Sequence, residues 1–351
     1  MNFLRSSRTA SLQGVFGRDC VISRAWSRRL FSDSGPQAVA LECLEFPAKE
    51  VAHGPDGTPV VFIHGLLGSS INFRTICRKQ EISGHRNAFS VDMRNHGSSP
   101  HSKDTSWRAM AADIAKFLDD RNIPQAHVVG HSMGGRVAMA TALLHPEKVS
   151  RLVVVDVAPV DYQAVARQGK QDASVATESS LGVLQAMKSL DLDRISREGG
   201  QRAQLDEELA QQPGMESSFL RGFVLQNCVQ DGGTGSPWKW RVGLDELLDS
   251  YHSDLTTWSF ADDEKIEHET LFVGGTQSPF MRGHEESIHR LCPGAHIHNI
   301  DCGHYVHSER PAEFLQAVGP FLNGGWTQHT DPKSGKLFYF QASTGKSQWE
   351  I

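Results

Sequence analysis

The chain is predicted to form a doubly wound, mostly parallel α/β sheet with a helical insertion, followed by a small all-β module. Three observations point there. From about Val39, short Val- and Ile-rich runs alternate with segments of helical period; the rhythm breaks between about residues 158 and 262; and after Leu322 the composition shifts to aromatic and turn residues. Continuous β-branched runs are the mark of parallel strands buried on both faces, and strand–helix alternation is how such sheets are wound.

Taken in order, "PVVFIH" reads as a strand ending at Gly65, followed by the helix-like "INFRTICRKQEI". "NAFSVDM" is the next strand and runs into the loop "RNHGSSPH". "SWRAMAADIAKFLDDRNI" repeats apolar residues at helical spacing and opens on a serine suited to cap the helix N-terminus. "AHVVGH" is a strand, Met133 to about Leu144 a helix, and "RLVVVD" a strand. The polar, helix-prone stretch 158–262, with "QRAQLDEELAQQ" and "WKWRVGLDELLDSYH", is too long for a loop and is predicted to be a helical cap. The sheet pattern resumes with the strand "TLFVGG", a helix at "HEESIHRLC", the strand "AHIHNID" and the helix "PAEFLQAVGPFL". In open α/β sheets ligands bind at the carboxyl ends of the strands, so a cap inserted there would roof the site.

Gly130-His131-Ser132-Met133-Gly134 is G-x-S-x-G, set between a strand-like and a helix-like segment. That context makes a tight strand-to-helix turn that lifts the Ser132 hydroxyl above the sheet, with a helix N-terminus behind it to favour developing negative charge. A hydroxyl needs a base. His304, in the G-H loop after the last strand, is the expected base; His296, His298 and His307 are nearby alternatives, and because no matched acidic ligands accompany them no metal or other cofactor is expected. The expected oxyanion donors are the N–H groups of Met133 and of Leu66 in "HGLLGSS". The acid is open at this point. The loop after "TLFVGG" offers Thr276, Gln277 and Ser278 but no carboxylate before Glu285; Asp156 stands at the end of the preceding strand, and Asp231 and Asp262 are further candidates.

"HGLLGS", "DMRNHGSS", "GHSMGG", "VVVDVAP", "WKWRVGLDEL" and "GHYVHSERP" together resemble the α/β-hydrolase superfamily. More narrowly, they resemble the mitochondrial α/β-hydrolase domain-containing protein 11 group and its bacterial acyl-esterase relatives. The likeness covers about Leu41–Leu322, within an expected hydrolase domain at 39–322. It implies a serine esterase or thioesterase acting on a small acyl ester or thioester, with Ser132 as nucleophile, His304 as base and Asp156 as acid. Two alternatives stay in view: a C–C hydrolase or synthase-like relative with the same triad, and a binding or scaffold protein on a hydrolase fold. Epoxide hydrolase and dehalogenase chemistry uses a carboxylate nucleophile, where this chain has a serine.

The two ends differ from the middle. Residues 1–31 hold six arginines, a single acid, Asp19, and interspersed serines, and "RRLFS" resembles a presequence cleavage site. The segment is therefore expected to be a mitochondrial targeting presequence, with the matrix as destination. In 324–351, Trp326 and Trp349 bracket "DPKSGK" and Phe338-Tyr339-Phe340, a pattern similar to a WW domain. That likeness implies a groove of Phe338, Phe340 and Trp349 for a proline-rich peptide. A net charge of −6 argues against a nucleic-acid partner, and no apolar run approaches the roughly 18 residues of a membrane span. The six cysteines are scattered and read as free thiols.

Overall fold

The computed structural model describes residues 36–49, 57–168, 171–233, 235–330, 337–341 and 346–348. The leader 1–31 lies outside the described residues. Among the described residues nine strands precede the tail: β1 (Cys43–Phe46), β2 (Val60–Ile63), β3 (Ala88–Val91), β4 (Ala126–His131), β5 (Val149–Val155), β6 (Cys228–Val229), β7 (Lys239–Trp240), β8 (Thr270–Gly275) and β9 (His296–Ile300). Seven of them form one sheet in the order β1-β3-β2-β4-β5-β8-β9, antiparallel only between β1 and β3.

The period of two in each strand divides the Val-rich runs between two cores. Val61, Ile63, Val128, Leu152, Val154 and Phe272 face one side, where the helices Trp107–Asp120 and Met133–Leu144 pack. Val60, Phe62, Val129, Val153, Val155 and Val273 face the other, against the helix Pro311–Leu322. Full burial of each such side chain is worth roughly 1.5–3 kcal/mol, so both faces are held. In the helix Trp107–Asp120 the buried set Trp107, Met110, Ala111, Ile114, Phe117 and Leu118 keeps helical spacing, and Ser106 Oγ caps it by accepting from Ala109 N at 3.3 Å. The expected single helix at "INFRTICRKQEI" is instead three short pieces, Ser70–Phe73, Arg74–Cys77 and Gln80–Ser83. Its apolar Phe73, Ile76, Cys77 and Ile82 are buried against the sheet all the same.

Between β5 and β8 the chain leaves the sheet. Helices Gln171–Ser189, Arg202–Ala210, Ser218–Leu225 and Leu244–Ser250, with the β6–β7 hairpin, enclose a separate core that includes Leu184, Met187, Ile195, Leu205 and Leu225. Both stems of this insertion meet at one side chain. Arg136, buried on the helix Met133–Leu144, donates to Thr257 O at 2.7 Å and to Val160 O, and its guanidinium lies 4.7 Å from the centre of the Tyr162 ring. Trp107 Nε1 donates to the same Thr257 O at 2.9 Å, and Tyr162 N to Thr256 O at 3.2 Å.

The five described cysteines are free thiols, four of them buried. Among the described residues no helix is long and apolar enough to cross a membrane. The tail forms a second, antiparallel sheet of β10 (Trp326–Thr330), β11 (Leu337–Gln341) and β12 (Lys346–Gln348), with Thr327 opposite Phe340 and Phe340 opposite Ser347. Phe338 and Phe340 stand two apart on β11; their side chains, and Trp349 altogether, lie outside the described residues.

Candidate active site

Ser132 sits at the junction of β4 and the helix Met133–Leu144 with φ 54° and ψ −119°, a conformation a non-glycine residue adopts at a cost of order 1–3 kcal/mol. What makes room for the turn is the absence of side chains beside it. A Cβ on Gly130 would lie 2.0 Å from Gly134 O, and one on Gly134 would lie 2.3 Å from Ile63 O. Ser132 N is tied to Val155 O at 2.9 Å, which fixes the elbow to the neighbouring strand. Ser132 Oγ has no hydrogen-bond partner among the described residues and lines a cavity of about 890 Å³.

His304 lines the same cavity from the loop after β9. Glu309 shapes that loop, accepting from Gly303 N at 2.8 Å and Tyr305 N at 3.1 Å. His304 Nδ1 donates to Asp156 Oδ2 at 2.7 Å, which leaves Nε2 as the nitrogen with a free lone pair. Asp156 is wholly buried at the end of β5. Its N–H donates to Val273 O at 2.9 Å, and Oδ1 accepts from Gly275 N at 2.9 Å. The carboxylate is thus held at both oxygens, by the strand next door and by the imidazole. The loop after β8 is occupied differently: Thr276 and Gln277 bond Asp301 Oδ1 at 2.9 and 3.1 Å.

The other acids fall elsewhere. Asp231 pairs with Lys239 on the surface of the insertion, Asp262 stands 3.7 Å from Arg290, and Glu285 accepts from Gly283 N; of these candidates and Asp156, Asp156 is the one bonded to His304. His296 and His298 lie exposed on β9. His307 does line the cavity, buried, with its ring stacked 4.4 Å from Phe73.

Leu66 and Met133 line the cavity, and their N–H groups have no hydrogen-bond partner among the described residues. Their neighbours are fully engaged. His64 Nδ1 donates to Gly65 O at 2.8 Å while its Nε2 accepts from Met93 N at 3.1 Å. His96 Nε2 accepts from Leu67 N at 3.1 Å and its Nδ1 donates to Arg94 O at 3.0 Å. Burial, foremost, pushes both imidazoles below the ordinary histidine value, His96 to about 3, so each stays neutral in one tautomer.

Sequence reasoning did not single out His131, His96, Asn227 or Arg136. His131 Nε2 donates to His304 O at 2.9 Å, so the residue preceding Ser132 also holds the backbone of the His304 loop. Burial, and then the nearby His304, hold His131 far below the usual histidine range. The signal for His131 and His96 was present in "GHSMGG" and "RNHGSS", but their partners lie 173 and 29 residues away.

Residues 58–311 match the family described as alpha/beta hydrolase fold, and residues 322–351 match the WW domain. The chain is 35% identical over 266 residues to the sn-1-specific diacylglycerol lipase ABHD11 of Mus musculus, an alignment covering 75% of this chain and 80% of that one. It is 32% identical to the esterase YbfF of Escherichia coli (strain K12), over 80% of this chain and 99% of that one. Among solved structures, a marine microorganism esterase superposes with a TM-score of 0.70 at 26% identity, covering 81% of this chain and 100% of that one.

Proposed function

The chain belongs to the α/β-hydrolase family, and on that premise we propose that it is a serine hydrolase cleaving acyl esters or thioesters through Ser132, His304 and Asp156. The observation that carries this reading is that His304, which lines the same cavity as Ser132, bonds through Nδ1 to the buried Asp156 behind it at 2.7 Å. His304 Nε2 takes the proton of Ser132 Oγ as the oxygen attacks the acyl carbonyl, and Asp156 stabilises the imidazolium that forms. The N–H groups of Leu66 and Met133 receive the oxyanion. Collapse returns the proton to the leaving alcohol or thiol and leaves an acyl-enzyme. Water, deprotonated by His304, then releases the acid and restores Ser132. His131 and His307 take no proton in this cycle, since burial keeps both imidazoles neutral at physiological pH.

Relatives named as a diacylglycerol lipase and an esterase favour an ester with an apolar acyl group. The cavity lining agrees with that: Leu66, Met133, Val157, Val183, Phe223 and Phe280 are apolar. The test is a chain-length series of acyl esters and acyl thioesters on wild type and Ser132→Ala. Hydrolysis and fluorophosphonate labelling should both vanish in the variant, and retention of either refutes the reading. We further propose the division 1–31 presequence, 39–322 hydrolase domain with its cap at about 158–262, and 324–351 WW module. The leader would direct the chain to mitochondria, and diffuse cytosolic fluorescence from a fusion of residues 1–40 would refute that. The tail would take a proline-rich peptide, with loss of binding in Trp349→Ala as its check.

A further inference from the structure

We propose that Asn227, a buried residue of the cap, is a positioning residue that aims the Leu66 N–H into the oxyanion site. The inference rests on the serine-hydrolase reading above. Its starting point is the direction of one peptide. Gly65 O accepts from His64 Nδ1 at 2.8 Å and from Gly68 N at 2.9 Å. In a trans peptide the carbonyl and the N–H point opposite ways, so pinning Gly65 O on one side turns the Leu66 N–H to the other.

That orientation holds only while the next residue is held too. Leu67 has φ 60°, a left-handed conformation that leucine disfavours. Its N–H is taken by His96 Nε2 at 3.1 Å, from the core, and its C=O by Asn227 Nδ2 at 2.8 Å, from the cap. Asn227 is 160 residues from Leu67, 1% exposed, and fixed in turn. Its own N–H donates to Val224 O at 3.0 Å, and its C=O accepts from Arg241 N at 2.7 Å across the β6–β7 hairpin. Because Leu67 O is an acceptor only, the side-chain amide must present its NH2 to it. Release Leu67 O, and the strained residue can relax towards ordinary φ, turning the Leu66 peptide with it. The cap therefore completes the oxyanion site as well as covering the substrate.

The test uses the full chain with two variants. Asn227→Leu has no donor for Leu67 O, and the ionised carboxylate of Asn227→Asp has none either; assays run up to about pH 9, so that a protonated Asp donating through its O–H shows itself as a pH-dependent recovery. An ester substrate gives kcat and KM, a matched trifluoromethyl ketone gives Ki, and thermal unfolding is followed alongside. Complete loss of one oxyanion donor costs about 10²–10³ in kcat. A misaimed donor should cost about tenfold, with Ki raised by the same factor and KM within about twofold. A lowered thermal midpoint with kcat and Ki unchanged would make Asn227 merely structural and overturn the proposal. Ser132→Ala in the same assay separates the two levels. If that variant retains turnover, the serine-hydrolase reading fails and this one with it. If it is dead while Asn227→Asp matches wild type, this inference alone fails. If Asn227→Leu does not fold, the near-isosteric Asn227→Asp carries the comparison.

Discussion

Replacing His307 with phenylalanine should make the protein more resistant to acid, and the size of the gain follows from the imidazole's surroundings. His307 is 4% exposed, stacked on Phe73 at 4.4 Å, and its Nδ1 has no hydrogen-bond partner among the described residues. Burial, followed by the charge of His304, pushes its pKa from 6.5 down to about 3. A depressed histidine favours the folded state above its unfolded pKa and loses that contribution as the pH falls towards the folded value. At pH 5 the unfolded chain binds a proton that the folded chain refuses, which costs about 2 kcal/mol, against almost nothing at pH 7.5. Phenylalanine keeps the ring stack and removes the proton site. Urea unfolding of wild type and His307→Phe at both pH values isolates this one group, because the other buried histidines titrate in both proteins. The variant should lose about 2 kcal/mol less than wild type on acidification, roughly thirtyfold in the unfolding constant. Equal losses would refute the argument.

Two further outcomes follow from the geometry. Asp156→Asn keeps the shape but offers one acceptor oxygen to two donors, Gly275 N–H and His304 Nδ1–H, so the imidazole should shift its proton to Nε2. Steady-state kinetics should then show kcat down about 10³–10⁴ with KM little changed, and a loss below tenfold would remove Asp156 from the mechanism. Gly130→Ala drives a Cβ to 2.0 Å from Gly134 O, backbone that cannot step aside. A destabilisation of about 3 kcal/mol, seen as a midpoint lower by roughly 5–10 °C, is expected, and a wild-type midpoint would contradict the close approach.

The sheet was legible because its inner strands are buried on both faces over most of their length: each Val-rich run is nearly free of polar residues, so strand and order stand out without alignment. G-x-S-x-G was legible for a related reason, since the glycines record contacts too close for any side chain. The acid was harder to read. Strands β5 and β8 are neighbours, so a carboxylate after either one ends on the same rim, and primary structure alone does not rank the two positions. What the structure adds is Gly275 N, which holds Asp156 Oδ1 from β8. The supports of the loop at Leu66 and Leu67 were illegible for a plainer reason. Asn227 stands in "LQNCVQ", a polar residue in a polar stretch, and only the cap's fold carries it to Leu67. The broken helix after β2 shows the reverse limit. Its apolar spacing is helical, yet Ser69 and Ser70 bind Asn72 and Asp92 through their backbone, and the local turn wins over the longer helix.

The clamp at Arg136 bears on how this fold can change. Val160 and Thr257 are nearly a hundred residues apart along the chain, yet one guanidinium holds the carbonyls of both. The insertion is thus a closed loop whose ends are anchored to the helix Met133–Leu144, which follows Ser132. The entropy of bringing those ends together grows only as the logarithm of the length between them. Lengthening, shortening or replacing the middle of the cap therefore leaves the anchorage almost untouched. The fold has in effect a socket, and the shape of the cavity over Ser132 can be rewritten without moving that residue.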